Sequence, residues 1–595
     1  MHSTAPTAAS PHERRPAERL RAAAAEVFGW ESLRPEQLTA MEWVLEGRDA
    51  LVVMPTGSGK SAVYQVPGLL LSGPVVVVSP LLALQRDQIA GLPGGGRSPV
   101  AVAVNSDLTA AEERAAWRAV TDGTARFLYL APEQLAKDES VERLAEAGPS
   151  LFVVDEAQCV SSWGHDFRPD YLRLEQAVRR MGRPPVLALT ATAAPPVRNE
   201  IAERLGMDRP RVLVTGFDRP NIRLEVHRHL DEDTRRRVVV ERAAAEPKPG
   251  LVYAATRKDT EHYAAELAAL GFTAEAYHAG LRAAERTRIH EAFQSGAADV
   301  VVATSAFGMG IDKEDVRYVL HAALPGSLDA YYQETGRCGR DGGAALAVLL
   351  YRPEDTGTQT YFAVRTAGRD ALAEVAGAVH EHGDDPAALG ELREETGMSR
   401  NRVTAAVNLL EEAGTVTTDE EGEVRPVPGT APSTAVRRAQ RTAEAHRRTD
   451  RSRVEMARAY AETTGCRRHF LLGYFGEPYE APCGNCDTCD ARAAEDAAGG
   501  DGTVTSGAGG AGGAAGRPVH PAAARYPVGA RVRHGRWGEG SVLSEDGDRI
   551  TVLFDEAGYH TLSLEALAGR EDLLTVLDGA GAGDGEDPAP ALDGD

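Results

Sequence analysis

The string MPTGSGKS at residues 54–61 constrains this 595-residue chain more than any other feature. It continues the apolar run LVVM (51–54) and precedes a stretch with helical character. A buried strand that runs through a glycine-rich turn into a helix points backbone N–H groups, and the positive end of the helix, at an anion. Gly57 and Gly59 permit the turn, and Thr56 and Ser58 complete the cradle. Lys60 is placed to reach the β- and γ-phosphates of a nucleoside triphosphate, and the Ser61 hydroxyl to ligate Mg²⁺. Met54 stands where the general pattern has its first glycine. The only lysines are Lys60, Lys137, Lys248, Lys258 and Lys313, so one inside a motif carries unusual information.

The runs VVVVS (75–79), FLYL (127–130), LFVVD (151–155) and VLALT (186–190) join LVVM as expected buried parallel strands. A second set follows in LVYAAT (251–256), DVVVATS (299–305), YVLHA (318–322) and LAVLLY (346–351). Two sets predict two α/β lobes in tandem, over 20–215 and 216–368, hinged at FDRPNI (217–222). LFVVDEAQ (151–158) places Asp155 near the metal and Glu156 near the water that attacks the γ-phosphate. In the second lobe, YYQETGRCGRDG (331–342) puts Arg337 and Arg340 three apart on an expected helix, where one of them can neutralise charge on the γ-phosphate.

Residues 369–430 read as two helices and a two-stranded wing closed by Asp419–Gly422, a winged-helix-like insert. Its wing carries Asp419, Glu420, Glu421 and Glu423, which repel phosphate; Ser399–Arg402 is the better DNA-contact candidate, with a purely packing role for the module as the alternative. Cys466, Cys483, Cys486 and Cys489, spaced C-x16-C-x2-C-x2-C within 437–492, suit a closed structural Zn²⁺ site. Arg437, Arg438, Arg441, Arg447, Arg448, Arg451, Arg453, Arg467 and Arg468 crowd the same region as a candidate phosphate surface. The net charge of −23 means that any nucleic-acid site must be such a local patch. A Gly/Ala-rich linker (493–519) then leads to a small SH3/Tudor-like β-barrel (520–577), in which Trp537, between turn glycines, is either the plug, the favoured reading, or an interface anchor. The linker is expected to let the barrel move independently of the lobes. A disordered lead (1–19) and an acidic disordered tail (578–595) complete the chain. No apolar run suggests a membrane span or secretory signal, so the expected location is cytoplasmic.

Together these motifs resemble the RecQ family of superfamily 2 helicases, continuously over about 20–365 and again over 447–490. FGWESLRPEQ (28–37) resembles the family's adenine-reading motif, which implies ATP, with Arg34 and Gln37 as base readers and Trp30 stacking nearby. CVSSWGHDFRPDY (159–171) resembles the aromatic-rich loop that senses single-stranded DNA and gates hydrolysis. There the resemblance assigns Trp163, Phe167 and Arg168 to the strand, and His165 and Asp166 to the loop's shape. SPLLALQRDQ (79–88), LTAT (189–192) and ATSAFGMGIDK (303–313) match further helicase motifs, and CRRHFLLGYFGE with CGNCDTC resembles the family's zinc segment. The family usually reads DEAH where this chain reads DEAQ; Gln158 is expected to hydrogen-bond across the lobe interface instead. The barrel string VGARVRHGRWGEGSV resembles the C-terminal module of UvrD/PcrA-type helicases, implying a protein partner such as RNA polymerase or a repair protein.

The resemblance implies an ATP-dependent 3′–5′ DNA helicase of repair or recombination, acting on single-stranded and forked DNA. Two other functions stay open: an RNA helicase, which the aromatic-rich loop and zinc segment disfavour, and a recruited DNA-stimulated ATPase that clamps or anneals with weak unwinding.

Overall fold

The computed structural model describes residues 15–577 except 81, 93–99, 106–107, 162–170, 172, 308–312, 364–366, 384, 420–422, 500–524, 528–529, 547–548, 556, 569 and 571. The first lobe is built on seven strands: β1 (Ala50–Val53), β2 (Val75–Val78), β3 (Ala101–Val104), β4 (Phe127–Leu130), β5 (Leu151–Val154), β6 (Val186–Thr190) and β7 (Arg211–Val214). Their order is β3-β4-β2-β5-β6-β1-β7, and every pairing is parallel. Helices cover both faces, which is why β1, β2, β4, β5 and β6 are apolar and buried along their whole length.

The second lobe holds β8 (Ile222–Arg228), β9 (Gly250–Tyr253), β10 (Ala274–Tyr277), β11 (Val300–Ala303), β12 (Tyr318–His321) and β13 (Ala345–Tyr351). These form a second parallel sheet in the order β10-β11-β9-β12-β13-β8. The fold is thus two tandem RecA-like lobes, with residues 215–221 as the crossing between their sheets. In such sheets ligands bind beyond the carboxyl ends of the strands.

The insert is a helix (Arg369–Glu381), β14 (Ala387–Ala388), two helices (Leu389–Thr396 and Arg400–Glu412) and the hairpin β15 (Val416–Thr418) and β16 (Glu423–Pro426). β16 pairs with both β14 and β15, giving the three-stranded sheet of a winged helix. Its core continues into Ala435, Val436, Ala439 and Ala443 of a 31-residue helix, Pro432–Glu462.

Past the zinc segment, β17 (Arg531–His534), β18 (Gly538–Asp546), β19 (Arg549–Phe554), β20 (Gly558–Ser563) and β21 (Leu574–Val576) make an antiparallel sheet ordered β20-β19-β18-β17-β21. The independence expected of this barrel is overturned. Leu543, Leu553 and Tyr559 belong to the same buried cluster as the zinc segment and the lobes. The Tyr559 ring stacks on Tyr474 of the helix Arg467–Tyr474, with centroids 5.0 Å apart. A Cβ on Gly558 would lie 2.3 Å from the Ser452 hydroxyl, so only glycine admits this approach to the long helix. Nor is Trp537 an enclosed plug: it is half-buried, sandwiched between His534 and His560 at 4.0 and 4.1 Å.

Two boundaries also shift. A helix (Pro16–Ala23) begins inside the expected lead, and its Leu20 is buried with Met41 and Val66. The helix Asp487–Gly499 runs into the expected linker. The remaining linker residues and the acidic tail lie outside the described residues.

Candidate nucleotide and metal sites

The phosphate loop leaves β1 and enters the helix Ala62–Gly68. Gly57 and Gly59 have φ of +77° and +76°, values that side chains resist, so the tight turn depends on both glycines. Lys60 Nζ donates to the carbonyls of Met54 (3.2 Å) and Pro55 (3.3 Å), folded over the loop it would release to a phosphate. Thr56 donates to the Gly336 carbonyl of the second lobe at 3.1 Å. Gln37 Nε2 donates to the carbonyls of Ser58 (2.9 Å) and Gly59 (3.2 Å), and its Oε1 accepts from the Arg34 N–H at 3.1 Å. The expected base reader therefore also buttresses the phosphate loop. Trp30, 37% exposed, stacks on Phe28 at 4.4 Å, and Arg34 is exposed beside it.

Asp155 and Glu156 follow β5. Asp155 is buried, accepts from Gln88 Nε2 (2.9 Å) and from the Glu156 N–H (3.0 Å). Burial, and then the neighbouring Glu156 charge, pushes its carboxyl up to about 6. Glu156 adopts φ +51°, a strained value for a non-glycine residue that turns its side chain out of the strand line. Gln158 does not cross to the second lobe as expected. Its Nε2 donates to Glu156 Oε2 (2.8 Å), and its Oε1 lies 2.6 Å from the Thr190 hydroxyl, which is also 2.9 Å from the Thr192 carbonyl. Glutamine suits this place because one amide both donates to the carboxylate and accepts from the hydroxyl.

The second lobe supplies the arginines, but not from one helix face. The helix Leu328–Thr335 ends before them, so Arg337 and Arg340 leave a turn in different directions. Arg337 is 3% exposed and turned into its own lobe, where its charge acts on buried Tyr253. Arg340 crosses to the first lobe: a Cβ on Gly57 would sit 3.3 Å from its side chain. Of the two, Arg340 has the finger position. Arg219, which sequence reading left within the hinge string, donates to the carbonyls of Gly336 (3.2 Å), Cys338 (3.0 Å) and Gly339 (2.9 Å) and so shapes that turn.

The Sγ atoms of Cys466, Cys483, Cys486 and Cys489 lie within 4.8 Å of one another, with Cys483 and Cys489 3.9 Å apart. Tetrahedral Zn²⁺ with bonds of about 2.3 Å needs sulfurs about 3.8 Å apart, so the four thiols fit the ion. Hydrogen bonds from Cys466 and Thr488 draw the Cys486 thiol well down, to about 3. Three of the nine arginines proposed for phosphate serve structure instead. Arg453, Arg467 and Arg468 are buried, and pair with Asp450 (3.0 Å), Asp487 (3.0 Å) and Asp218 (2.7 Å).

The zinc segment grips the hinge. Arg468 also donates to the Ile222 carbonyl at 2.6 Å, Phe475 stacks on Phe217 at 4.5 Å, and Asn485 donates to the Pro220 carbonyl at 2.9 Å. Trp163, His165, Phe167 and Arg168 lie outside the described residues.

A phosphate loop and acidic pair on one RecA-like lobe, met by an arginine from a second, define a two-lobed nucleotide-driven motor. Family comparison narrows the class. Residues 34–200 match the DEAD/DEAH box helicase model, 233–342 the helicase conserved C-terminal domain, and 433–490 the RecQ zinc-binding model. A probable ATP-dependent DNA helicase RecS of Bacillus subtilis is 34% identical over 461 residues, 77% of this chain and 88% of that protein. An ATP-dependent DNA helicase RecQ of Pasteurella multocida is 41% identical over 330 residues, 55% of this chain and 51% of that protein, so the match spans only about half of that relative. Among solved structures, the Mycobacterium smegmatis helicase Lhr bound to ssDNA and AMP-PNP aligns at TM-score 0.47 and 20% identity, over 73% of this chain and 62% of that one. The chain belongs to the RecQ family of ATP-dependent DNA helicases.

Proposed function

We propose that this protein hydrolyses ATP to move 3′ to 5′ along single-stranded DNA and to unwind duplex DNA, in repair or recombination. The observation that carries the reading is Arg340 of the second lobe lying over Gly57 of the phosphate loop. In this reading the loop N–H groups and Lys60 hold the phosphates, Ser61 and Asp155 hold Mg²⁺, and Glu156 orients the attacking water. Arg340 neutralises charge on the γ-phosphate, so closure of the lobes and hydrolysis are one event. Arg337 holds the turn that aims it. Gln158 ties Glu156 to the LTAT segment, and Trp30, Arg34 and Gln37 receive the adenine. Zn²⁺, when bound, cross-links the segment that grips the hinge.

DNA binding draws support from the long helix. Arg437, Arg441, Arg448 and Arg451 are exposed and share one stripe of it, broken by Glu444. A span of 14 residues makes that stripe about 21 Å long. The barrel is a poorer DNA surface, because Arg531 pairs with Asp555 (2.7 Å) and Arg533 with Glu539. Its outer face suits a protein partner, with RNA polymerase the first to test.

Strand displacement on 3′-tailed and 5′-tailed DNA duplexes, with an RNA duplex beside them, tests the reading. Unwinding of the 3′-tailed DNA alone is expected, together with ssDNA-stimulated ATP turnover that Lys60→Ala lowers by about a hundredfold or more in a folded protein. Stimulated turnover without displacement would point to clamping or annealing instead.

A further inference from the structure

The helix Leu82–Ala90 follows β2 and carries two glutamines three residues apart, Gln85 and Gln88, which are neighbours on its surface. Gln85 is fully buried and fixes the helix to the sheet. Its Nε2 donates to the Ser79 carbonyl just past β2 (3.0 Å), and its Oε1 accepts from Asn105 Nδ2 just past β3 (3.4 Å). Both halves of that amide are used. Gln88 differs. Its Nε2 donates to Asp155 Oδ2 at 2.9 Å, while its Oε1 is buried with no hydrogen-bond partner among the described residues.

A buried acceptor left unmet opposes folding, so stability alone does not account for Gln88. An apolar side chain of similar length would occupy the place without that cost. What it could not supply is the N–H to Asp155. The carboxylate takes that bond on Oδ2 and the Glu156 N–H on Oδ1 (3.0 Å), so one donor on each oxygen fixes its rotation. The Glu156 bond comes with the backbone turn after β5; the Gln88 bond comes from a separate element. Asp155 and Ser61 offer the hard oxygen donors that Mg²⁺ takes, and the ion demands near-ideal octahedral geometry from few protein ligands. A carboxylate already turned to its working orientation suits that demand.

We propose that Gln88 is a positioning residue for the metal ion: it holds the Asp155 carboxylate in the orientation that receives Mg²⁺, and so sets how much Mg²⁺ the motor needs to load ATP. This rests on the proposed function, in which Asp155 holds the ion. The two glutamines divide the work of one helix. Gln85 places the helix, and Gln88 places the carboxylate. Hydrogen-bond partners that orient a metal ligand contribute about ten- to a hundredfold in metal affinity.

The test is binding of a fluorescent, non-hydrolysable ATP analogue to the full-length protein as Mg²⁺ is titrated at neutral pH. Gln88→Met and Gln88→Ala both remove the N–H, and each is expected to raise the half-saturating Mg²⁺ concentration about tenfold. Binding of the analogue in EDTA should stay at the wild-type value, and the thermal midpoint of Gln88→Met should equal or exceed that of the wild type. Added to Asp155→Asn, Gln88→Met should change nothing further, because it acts through that carboxylate. An unchanged Mg²⁺ requirement in both Gln88 variants, an equal weakening in EDTA, or a further loss on top of Asp155→Asn would overturn the proposal. A wild-type Mg²⁺ requirement in Asp155→Asn would instead overturn the function beneath it.

Discussion

Asp155 shows how one buried carboxyl sets the conditions under which the motor can load. Its burial and the adjacent Glu156 hold the carboxyl near 6, above the ordinary aspartate range. A raised carboxyl pKa means that the folded, nucleotide-free protein keeps a proton which the unfolded chain has already lost. The group's contribution to stability is thus present at low pH and falls as pH rises from about 4 through about 6. Metal binding has the opposite dependence, because Mg²⁺ must displace that proton. The expected outcome is an Mg·ATP affinity that is flat above about pH 6.5 and weakens about tenfold per unit below pH 6. Titration of a fluorescent ATP analogue at fixed Mg²⁺ between pH 5 and 8 measures it. A flat profile through pH 5 would show that Asp155 is ionised before the metal arrives. The same residue-scale view explains what sequence reading could and could not assign. Lys60 and Gly57 are fixed by local chain geometry and were legible. The division of labour between Arg337 and Arg340 was not, because it depends on where the helix Leu328–Thr335 stops. Cys338 in that turn is buried, its thiol pushed up to about 12 by burial, so the turn offers no reactive thiol.

Among elements, the strands legible in the sequence are the central ones. β3 and β7 at the edges of the first sheet, and β10 and β8 at the edges of the second, carried no signal strong enough to be recognised. The physical reason is visible in β8, whose sequence IRLEVHR alternates burial and ends exposed, and in β7, which is exposed or half-exposed throughout. A strand with a neighbour on one side need not be apolar on both faces. The insert divides in the same way: two of its three helices and its hairpin were legible, while the helix Arg369–Glu381 was not read and two-residue β14 acquires its identity only from pairing with β16. The zinc segment is an element whose chemistry was legible and whose position was not. Cysteine spacing announces the metal, whereas the grip of Phe475, Arg468 and Asn485 on the hinge needs the folded chain. One Zn²⁺ per chain is expected by elemental analysis. Cys483→Ser should cost the ion and, because metal binding and folding are coupled, loosen the hinge as well. Limited proteolysis would then show faster cleavage within 215–222 in the variant than in the wild type. Equal cleavage rates in a zinc-free variant would separate the metal from the hinge.

At the scale of the whole molecule, the barrel changes status from passenger to structural part. Tyr559 lies against Tyr474, whose hydroxyl donates to Asp329 Oδ2 at 2.5 Å. Asp329 sits in the first turn of the helix that leads to Arg337 and Arg340. Contacts therefore run from the barrel, through the zinc segment, to the arginine turn. Ending the chain near Ala494 would uncover Tyr474 and the apolar surface that Leu543, Leu553 and Tyr559 now cover. Such a truncation is expected to unfold at lower denaturant and to lose part of its ATP turnover. Tyr559→Ala in the full chain should cost about 3 kcal/mol in the unfolding of the region it joins. An unchanged unfolding midpoint in both proteins would mean that the contact contributes nothing measurable.

The barrel is tethered to what it docks on by residues 500–524, rich in glycine and alanine. A short tether of that composition holds its cargo at an effective concentration in the millimolar range. A docking face with an intrinsic Kd near 10 μM, too weak to hold two separate molecules together at about 1 μM, would then be closed about 99% of the time within one chain. The covalent link adds to what the buried face supplies. An isolated barrel supplied in trans at micromolar concentration should accordingly fail to restore a truncated motor. Any protein that binds the Tyr559 face must first outcompete a rival that never diffuses away.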